Sequence, residues 1–276
     1  MQVWFITGAS RGFGALIAEK ALKAGDAVIA TSRDPQHVTD RLGNHPQLLA
    51  VQLDVTNEQA ALEAVKAGIQ RFGRIDVLLN NAGYGLLGAV EEASAEEIET
   101  LYKTNVFGLL SVTRAVLPHL RRQKSGHVMN ISSIGGYTAG LGWGVYCSTK
   151  FAVEGLSEAL AQELKPVNVK VTVIEPGYFR TDFLDQQSLI STAQQIADYD
   201  STVGEMRKFA ASVNHKQPGD PAKLADAILE LAKVPNPPLR LALGSDTVNA
   251  LRTKNQFVEE ELSAWEMLSR STDFPT

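Results

Sequence analysis

Cysteine is all but missing from this chain. Cys147 stands alone among 276 residues, so no internal disulfide and no multi-cysteine metal site can form. The five histidines, His37, His45, His119, His127 and His215, fall in no HxxxH or His–Cys spacing, and no bound metal is expected. Long apolar runs are missing too. No window approaches about 18 uninterrupted apolar residues, so no membrane-spanning helix is expected. Positive charge is not in excess: the formal net charge is −5 and the pI about 5.6, which argues against nucleic acid as the main partner. The β-rich run Gln2-Val3-Trp4-Phe5-Ile6-Thr7 starts without a basic n-region or a cleavage site, so a cytoplasmic location is the expectation. Core-forming residues, by contrast, are plentiful. With 44% hydrophobic and 21% charged residues, the composition is that of a folded soluble chain. A chain of this length buries roughly three quarters of its unfolded surface without any staple.

Short apolar runs alternate with longer amphipathic stretches. The runs lie at 2–7, 26–31, 48–54, 75–79, 127–132 and 169–174. They are near-continuous rather than strictly alternating, which suits strands covered on both faces. Helix ends are legible between them. Thr56-Asn57-Glu58-Gln59 and Ser94-Ala95-Glu96-Glu97 read as capping boxes, Gly25 reads as the glycine just past a helix end, and Asp220-Pro221 as an N-cap followed by proline. Such alternation predicts an α/β fold, a doubly wound parallel sheet of Rossmann type with helices on both faces. Residues 178–218 break the rhythm. They are polar, Gln- and Ser-rich and only weakly periodic, and long irregular segments in compact domains are often lids. A last strand at 239–243 and a helical extension at 246–270 complete a single domain spanning 1–276.

Two constellations carry chemistry. The first strand runs into Thr7-Gly8-Ala9-Ser10-Arg11-Gly12-Phe13-Gly14 ahead of a helix. Glycines at such a turn let the backbone approach a pyrophosphate, which then meets the N–H groups of the helix N-terminus. The spacing is GxxxGxG rather than GxGxxG. The second constellation is Tyr146 and Lys150, four apart and hence on one helical face. Ser133 lies thirteen positions upstream, just past a strand end, where open α/β sheets bind ligands.

Carbonyl reduction needs hydride at carbon and a proton at oxygen. A phenol of pKa near 10 shuttles protons poorly at pH 7. Lowering it by ~3 units takes ~4 kcal/mol of preferential phenolate stabilisation. One ammonium about 4 Å away supplies that order of magnitude at an effective dielectric of ~20. Ser133 would bond the substrate oxygen as charge develops on it. Cys147, next to this tyrosine, is read as a packing residue rather than a redox switch. Arg121, Arg122 and Lys124 end a helix, where cations complement its dipole.

These residues resemble the motifs of the short-chain dehydrogenase/reductase family, in its compact single-domain branch. The likeness covers residues 2–182: the TGxxxGxG turn at 7–14, Asp54 with Val55 after the third strand, Asn80-Asn81-Ala82-Gly83 after the fourth, Asn105, Ser133, Tyr146 with Lys150, and Pro176-Gly177 with Thr181. The resemblance implies a catalytic set of Asn105, Ser133, Tyr146 and Lys150, with Asn105 holding a water that links Lys150 to solvent. It implies a dinucleotide held by Gly8, Ser10, Arg11, Gly12, Phe13, Gly14, Asp54, Val55, Asn81, Ala82, Gly83, Tyr146, Lys150, Pro176, Gly177 and Thr181. Phe13 replaces the smaller aliphatic residue usual between the last two glycines. Relatives pair through two long helices, here at about 94–122 and 145–165, so a homodimer or homotetramer is expected.

The cofactor choice rests on the end of the second strand, Ala30-Thr31-Ser32-Arg33-Asp34. By the resemblance, Ser32 takes the position of the acidic residue that binds a ribose 2′-hydroxyl in NAD-preferring folds. Arg33 and Arg11 then suit a 2′-phosphate, pointing to NADP(H). A rival reading takes Asp34 as the ribose carboxylate and needs a strand two residues longer. The substrate pocket is read as Tyr84, Ile134, Trp143, Tyr178 and Phe183, largely apolar. An epimerase or dehydratase of the same fold would need glycine at position 11. A non-catalytic dinucleotide sensor would typically lack the tyrosine or the lysine.

Overall fold

A computed structural model describes residues 1–274. In chain order the elements are β1 (Val3–Ile6), α1 (Gly12–Lys23), β2 (Ala27–Ser32), α2 (Gln36–Leu42), β3 (Leu48–Gln52), α3 (Glu58–Phe72), β4 (Val77–Asn80), β5 (Gly85–Leu87), α4 (Ala95–Tyr102), α5 (Leu109–Gln123), β6 (Gly126–Ile131), α6 (Gly144–Leu164), β7 (Val169–Pro176), β8 (Leu189–Ser191), α7 (Glu205–Val213), α8 (Pro221–Leu231), β9 (Arg240–Leu243) and α9 (Ser245–Arg270). Seven parallel strands form the central sheet in the order β3-β2-β1-β4-β6-β7-β9. The strand order reverses between β1 and β4. This switch point opens a crevice at the carboxyl ends of the strands.

Alternating side chains along the strands feed two cores. Val3 and Phe5 of β1 join Val112, Val116 and Leu120 of α5 and Leu164 of α6 on one face. Trp4 and Ile6 join Ile17 of α1 and Leu224 and Ile228 of α8 on the other. Both faces are dry, as continuous apolar strands require. Ser94 and Glu97 cap α4 reciprocally, and Asp220 caps α8 ahead of Pro221. At α3 the cap is Asn57, which accepts from the Ala60 N–H. Thr56 instead donates its hydroxyl to Asp54, so the box read there begins one residue too early.

The segment 178–218 is far from irregular. It contains β8, short turns at Asp182–Leu184 and Ala197–Tyr199, a π-helical turn at Asp200–Gly204 and α7. β8 pairs in parallel with β5, so the segment is stitched to the loop that follows β4. No helix among the described residues is long and apolar enough to cross a membrane.

Candidate functional site

The turn after β1 builds a cradle for a phosphate. Gly8 and Gly12 have φ of +64° and +55°, a left-handed region that side chains resist. A Cβ on Gly14 would stand 2.5 Å from the Gly8 carbonyl oxygen, so the start of α1 presses on the turn. No side chain caps α1 at Arg11, which leaves its first N–H groups available to an anion. Asn81 secures the turn by donating to the Thr7 and Gly8 carbonyls at 2.9 and 3.0 Å. The Asn81 and Ala82 N–H groups donate to the Thr7 hydroxyl. This arrangement fits a dinucleotide pyrophosphate.

The catalytic set expected from the sequence converges at the same edge of the sheet. Tyr146 and Lys150 are both buried near the start of α6. Ser133 stands beside Tyr146 and acts to hold its phenol down, and Ser133 accepts from the Gly135 N–H at 3.0 Å. Asn105 lies in a π-helical turn, Lys103–Gly108, between α4 and α5. It exchanges hydrogen bonds with the Tyr84 backbone at 3.1 and 2.9 Å and donates to Thr149. Lys150 Nζ stands 5.8 Å from the Tyr146 ring centroid and donates to the Ile131 carbonyl at 2.9 Å.

In the chain alone the Tyr146 phenol is pushed up from its ordinary value, because burial outweighs the effect of Ser133. Lys150 has turned to the Ile131 carbonyl, and burial pushes its ammonium down to about 8. In the chain alone Lys150 is not among the groups that act on the phenol.

The remaining residues expected to hold a cofactor are placed as follows. β2 ends at Ser32, which is buried and donates its hydroxyl to the Asp34 carbonyl. Arg33 beyond it is exposed. The Asp34 carboxylate accepts from the Gln36 N–H at the start of α2. Arg11 does not join Arg33: its guanidinium donates to the Gln187 side chain and, at 2.9 Å, to the Gln187 carbonyl. Asp54 accepts from Thr56, and Val55 packs under Gly108. Ser10 and Phe13 are half-buried, Phe13 edge-on to Phe179 at 5.6 Å. Gly83 lies within reach of Asn105 and Lys150. Pro176 ends β7, the Gly177 N–H donates to Leu243, and Thr181 accepts from the Phe183 N–H.

Of the expected pocket, Trp143 and Phe183 flank the Tyr146 ring at 5.7 and 5.8 Å. Tyr84 packs into the same cluster with Leu189 and Met206. Tyr178 stacks edge-on with Phe209 of α7 instead, and Ile134 opens the short turn after Ser133. Phe183 belongs to the 178–218 segment, so that segment covers Tyr146. Burial raises the Cys147 thiol, in keeping with a packing role.

Sequence reading missed three features that depend on long-range contact. Glu92, fully buried, accepts from the Ala89 and Ile196 N–H groups and pairs with Arg207 of α7. Asp182, Asp185 and His215 come together within 4.8 Å, with His215 and Asp185 at 3.1 Å. A buried cluster of Glu154, Glu175 and Arg240 lies one turn beyond Lys150. Only Glu154, at i+4 from Lys150, left any signal in the spacing.

The short chain dehydrogenase family model matches residues 2–189. The chain belongs to the short-chain dehydrogenase/reductase family. An oxidoreductase of Botryotinia fuckeliana is 39% identical over 97% of this chain and 98% of its own. A 3-ketodihydrosphingosine reductase of Bacteroides thetaiotaomicron is also 39% identical, over 88% of each. Among solved structures, a short-chain dehydrogenase from Streptomyces avermitilis is 43% identical, covers 99% of both chains and superposes with a TM-score of 0.92. A serine dehydrogenase complexed with NADP+ is 30% identical, with a TM-score of 0.74 over 88% of this chain and 94% of its own. A 3-ketoacyl-(acyl-carrier-protein) reductase from Brucella melitensis complexed with NADH is 25% identical, with a TM-score of 0.71 over 87% and 96%. This short-chain dehydrogenase/reductase is thus an oxidoreductase whose relatives bind NAD or NADP.

Proposed function

We propose that the protein transfers hydride between NADP(H) and a carbonyl or secondary alcohol of a small hydrophobic substrate, with Tyr146 as general acid and base. The observation that carries this reading is the convergence of Ser133, Tyr146, Lys150 and Asn105 beside a glycine cradle at the switch point of the sheet. When bound, the nicotinamide supplies or accepts the hydride. Ser133 holds the substrate oxygen, Tyr146 passes it a proton, and Lys150 restores the tyrosine's charge balance. The ring wall of buried Trp143 with half-buried Tyr84 and Phe183 favours an apolar substrate, and the likeness to a 3-ketodihydrosphingosine reductase points the same way.

NADP is preferred over NAD because β2 stops at Ser32, leaving Arg33 free at the ribose edge while Asp34 is used in the turn into α2. With Arg11 held by Gln187, the preference rests chiefly on Arg33 and Ser32. We place the protein in the cytoplasm as a homodimer or homotetramer, with the exposed Phe107 and Phe151 on the helices expected to pair. Sedimentation velocity reads that state directly. Nucleotide oxidation by the purified protein with a panel of aldehydes, ketones and quinones tests the activity. Turnover with NADPH and apolar carbonyls is expected. Tight NADPH binding with no turnover across the panel would overturn the reading.

A further inference from the structure

Four charged side chains from three elements meet beyond Lys150. Glu154 and Glu158 come from α6, Glu175 from β7 and Arg240 from β9, where Arg240 is paired with Val173 in the ladder. Arg240 Nε donates to Glu154 Oε2 at 3.1 Å, and Nη2 to Glu158 Oε2 at 2.7 Å. Nε lies 3.9 Å from Glu175 Oε1. Glu175 is wholly buried and Glu154 nearly so. Glu154 Oε1, both Glu175 oxygens and the neighbouring Ser132 Oγ have no hydrogen-bond partner. A Cβ on Gly136 would stand 2.2 Å from Ser132 Oγ and 3.1 Å from Glu154 Oε1, so only glycine lets the loop after Ser133 seal this pocket.

Charge counting makes the arrangement unusual. Glu154, Glu158 and Glu175 face two cations, Arg240 and Lys150. Ionised carboxylates only accept hydrogen bonds, and two of them side by side in a dry site repel. A proton on one removes the repulsion, supplies the missing donor and brings the cluster to neutrality. Of the other elements around the pocket, β6 contributes Ser132, and α9 brings Asp246, whose carboxylate accepts from the Tyr178 N–H at 2.7 Å.

We propose that Glu154 and Glu175 share one proton, and that this pair, anchored by Arg240, sets the charge state of Lys150. Both are positioning residues acting through the lysine, so the second part of the inference rests on the proposed role of Lys150. The directions agree with the geometry. Burial and the neighbouring Glu154 push Glu175 up to about 7. Burial pushes Lys150 down, and the Glu154 charge opposes that fall. As pH rises through neutrality the pair gives up its proton, and its added negative charge keeps the ammonium in place.

Two experiments test this. The first titrates the carboxyl groups of the cofactor-free protein by infrared difference spectroscopy. One buried carboxylic acid should lose its proton near pH 7 in the wild type and in Tyr146→Phe, and that signal should vanish in Glu175→Gln. Glutamates that all ionise in the ordinary carboxylate range would overturn the proposal whatever the enzyme's activity. The second follows kcat for alcohol oxidation against pH. In Glu154→Gln the alkaline fall in rate should move to lower pH by about half a unit or more, with Glu154→Asp restoring it. A loss of rate equal at every pH would reduce Glu154 to a packing role and overturn the link to Lys150. Full activity in Tyr146→Phe would instead count against the catalytic reading and leave the infrared result standing.

Discussion

The phenol of Tyr146 is harder to ionise in this chain than in water, because burial outweighs the effect of Ser133. A group so placed is a good keeper of its proton and needs added positive charge before it can act as a base. Replacing Tyr146 with Phe keeps the ring between Trp143 and Phe183 and removes only the hydroxyl. Turnover should fall by about 10²-fold or more, the usual share of general acid–base catalysis, while NADPH affinity measured by fluorescence titration stays within about twofold. Near-normal turnover would remove Tyr146 from its role. Arg33 offers a second test at this scale. A charge-assisted contact is worth ~1.5–3 kcal/mol, so Arg33→Ala should weaken NADPH use by about 10- to 100-fold and spare NADH. Equal use of both nucleotides by the wild type at matched subsaturating concentrations would move Asp34 into the ribose role. Such residues were legible in the sequence because their chemistry is tied to local spacing: Tyr146 and Lys150 to one helical face, Ser133 to a strand end. The side-chain direction of Lys150 was not, since the Ile131 carbonyl that holds it is 19 residues away.

Elements were legible where their signals are local and missed where they are not. Continuous apolar runs announced the long strands, whereas the three-residue β5 and β8 exist only because each finds the other. The π turn at Lys103–Gly108 likewise leaves no mark in hydrophobic period, yet it carries Asn105. The 178–218 segment looked irregular because its order is imposed from outside. Glu92 and Glu97 accept the Ile196 and Ala193 N–H groups, and Arg207 reaches back to Glu92. Burial opposes ionisation of Glu92, but the bonds from Ile196, Ala89 and Arg207 outweigh it and lower its pKa. Breaking a buried pair by deleting one partner typically costs about 3–5 kcal/mol. Arg207→Met should therefore loosen residues 192–207 and speed limited proteolysis there well before it affects the central sheet. Cleavage at the wild-type rate would show that the segment is held by its apolar contacts alone. Cofactor and substrate together should slow cleavage in the wild type, because Phe183 packs on Tyr146 and Gln187 binds Arg11.

At the scale of the whole molecule, two buried titratable groups at different places in the sheet should bend stability in opposite directions. His127 of β6 is buried against Thr172, and burial, with Lys170 nearby, lowers its pKa to about 4. An unfolded histidine titrates near 6.5. The contribution of His127 is therefore fully present above about 6.5 and is lost as pH falls toward 4. Glu175 behaves in the contrary way. Its folded value of about 7 lies above the unfolded ~4.3, so its contribution is present at low pH and is lost as pH rises through 7. Between about pH 5 and 6.5 the unfolded chain binds one more proton at His127 and one fewer at Glu175, and the two slopes cancel. Each alone is worth at most about 1.4 kcal/mol per pH unit. Glu92 and Glu97, with lowered values, act below this window, and Glu154 is counted with Glu175 as the proposed pair that holds a single proton. Urea unfolding of the wild type should thus give nearly constant stability from about pH 5 to 6.5 and a fall above it, where Glu175 titrates alone. Removing one partner unmasks the other: Glu175→Gln should lose stability as pH falls from 7 to 5, and His127→Gln should gain it. Variants with parallel profiles, or a wild type that already slopes steeply, would show that these two buried groups do not govern the acid response of the fold.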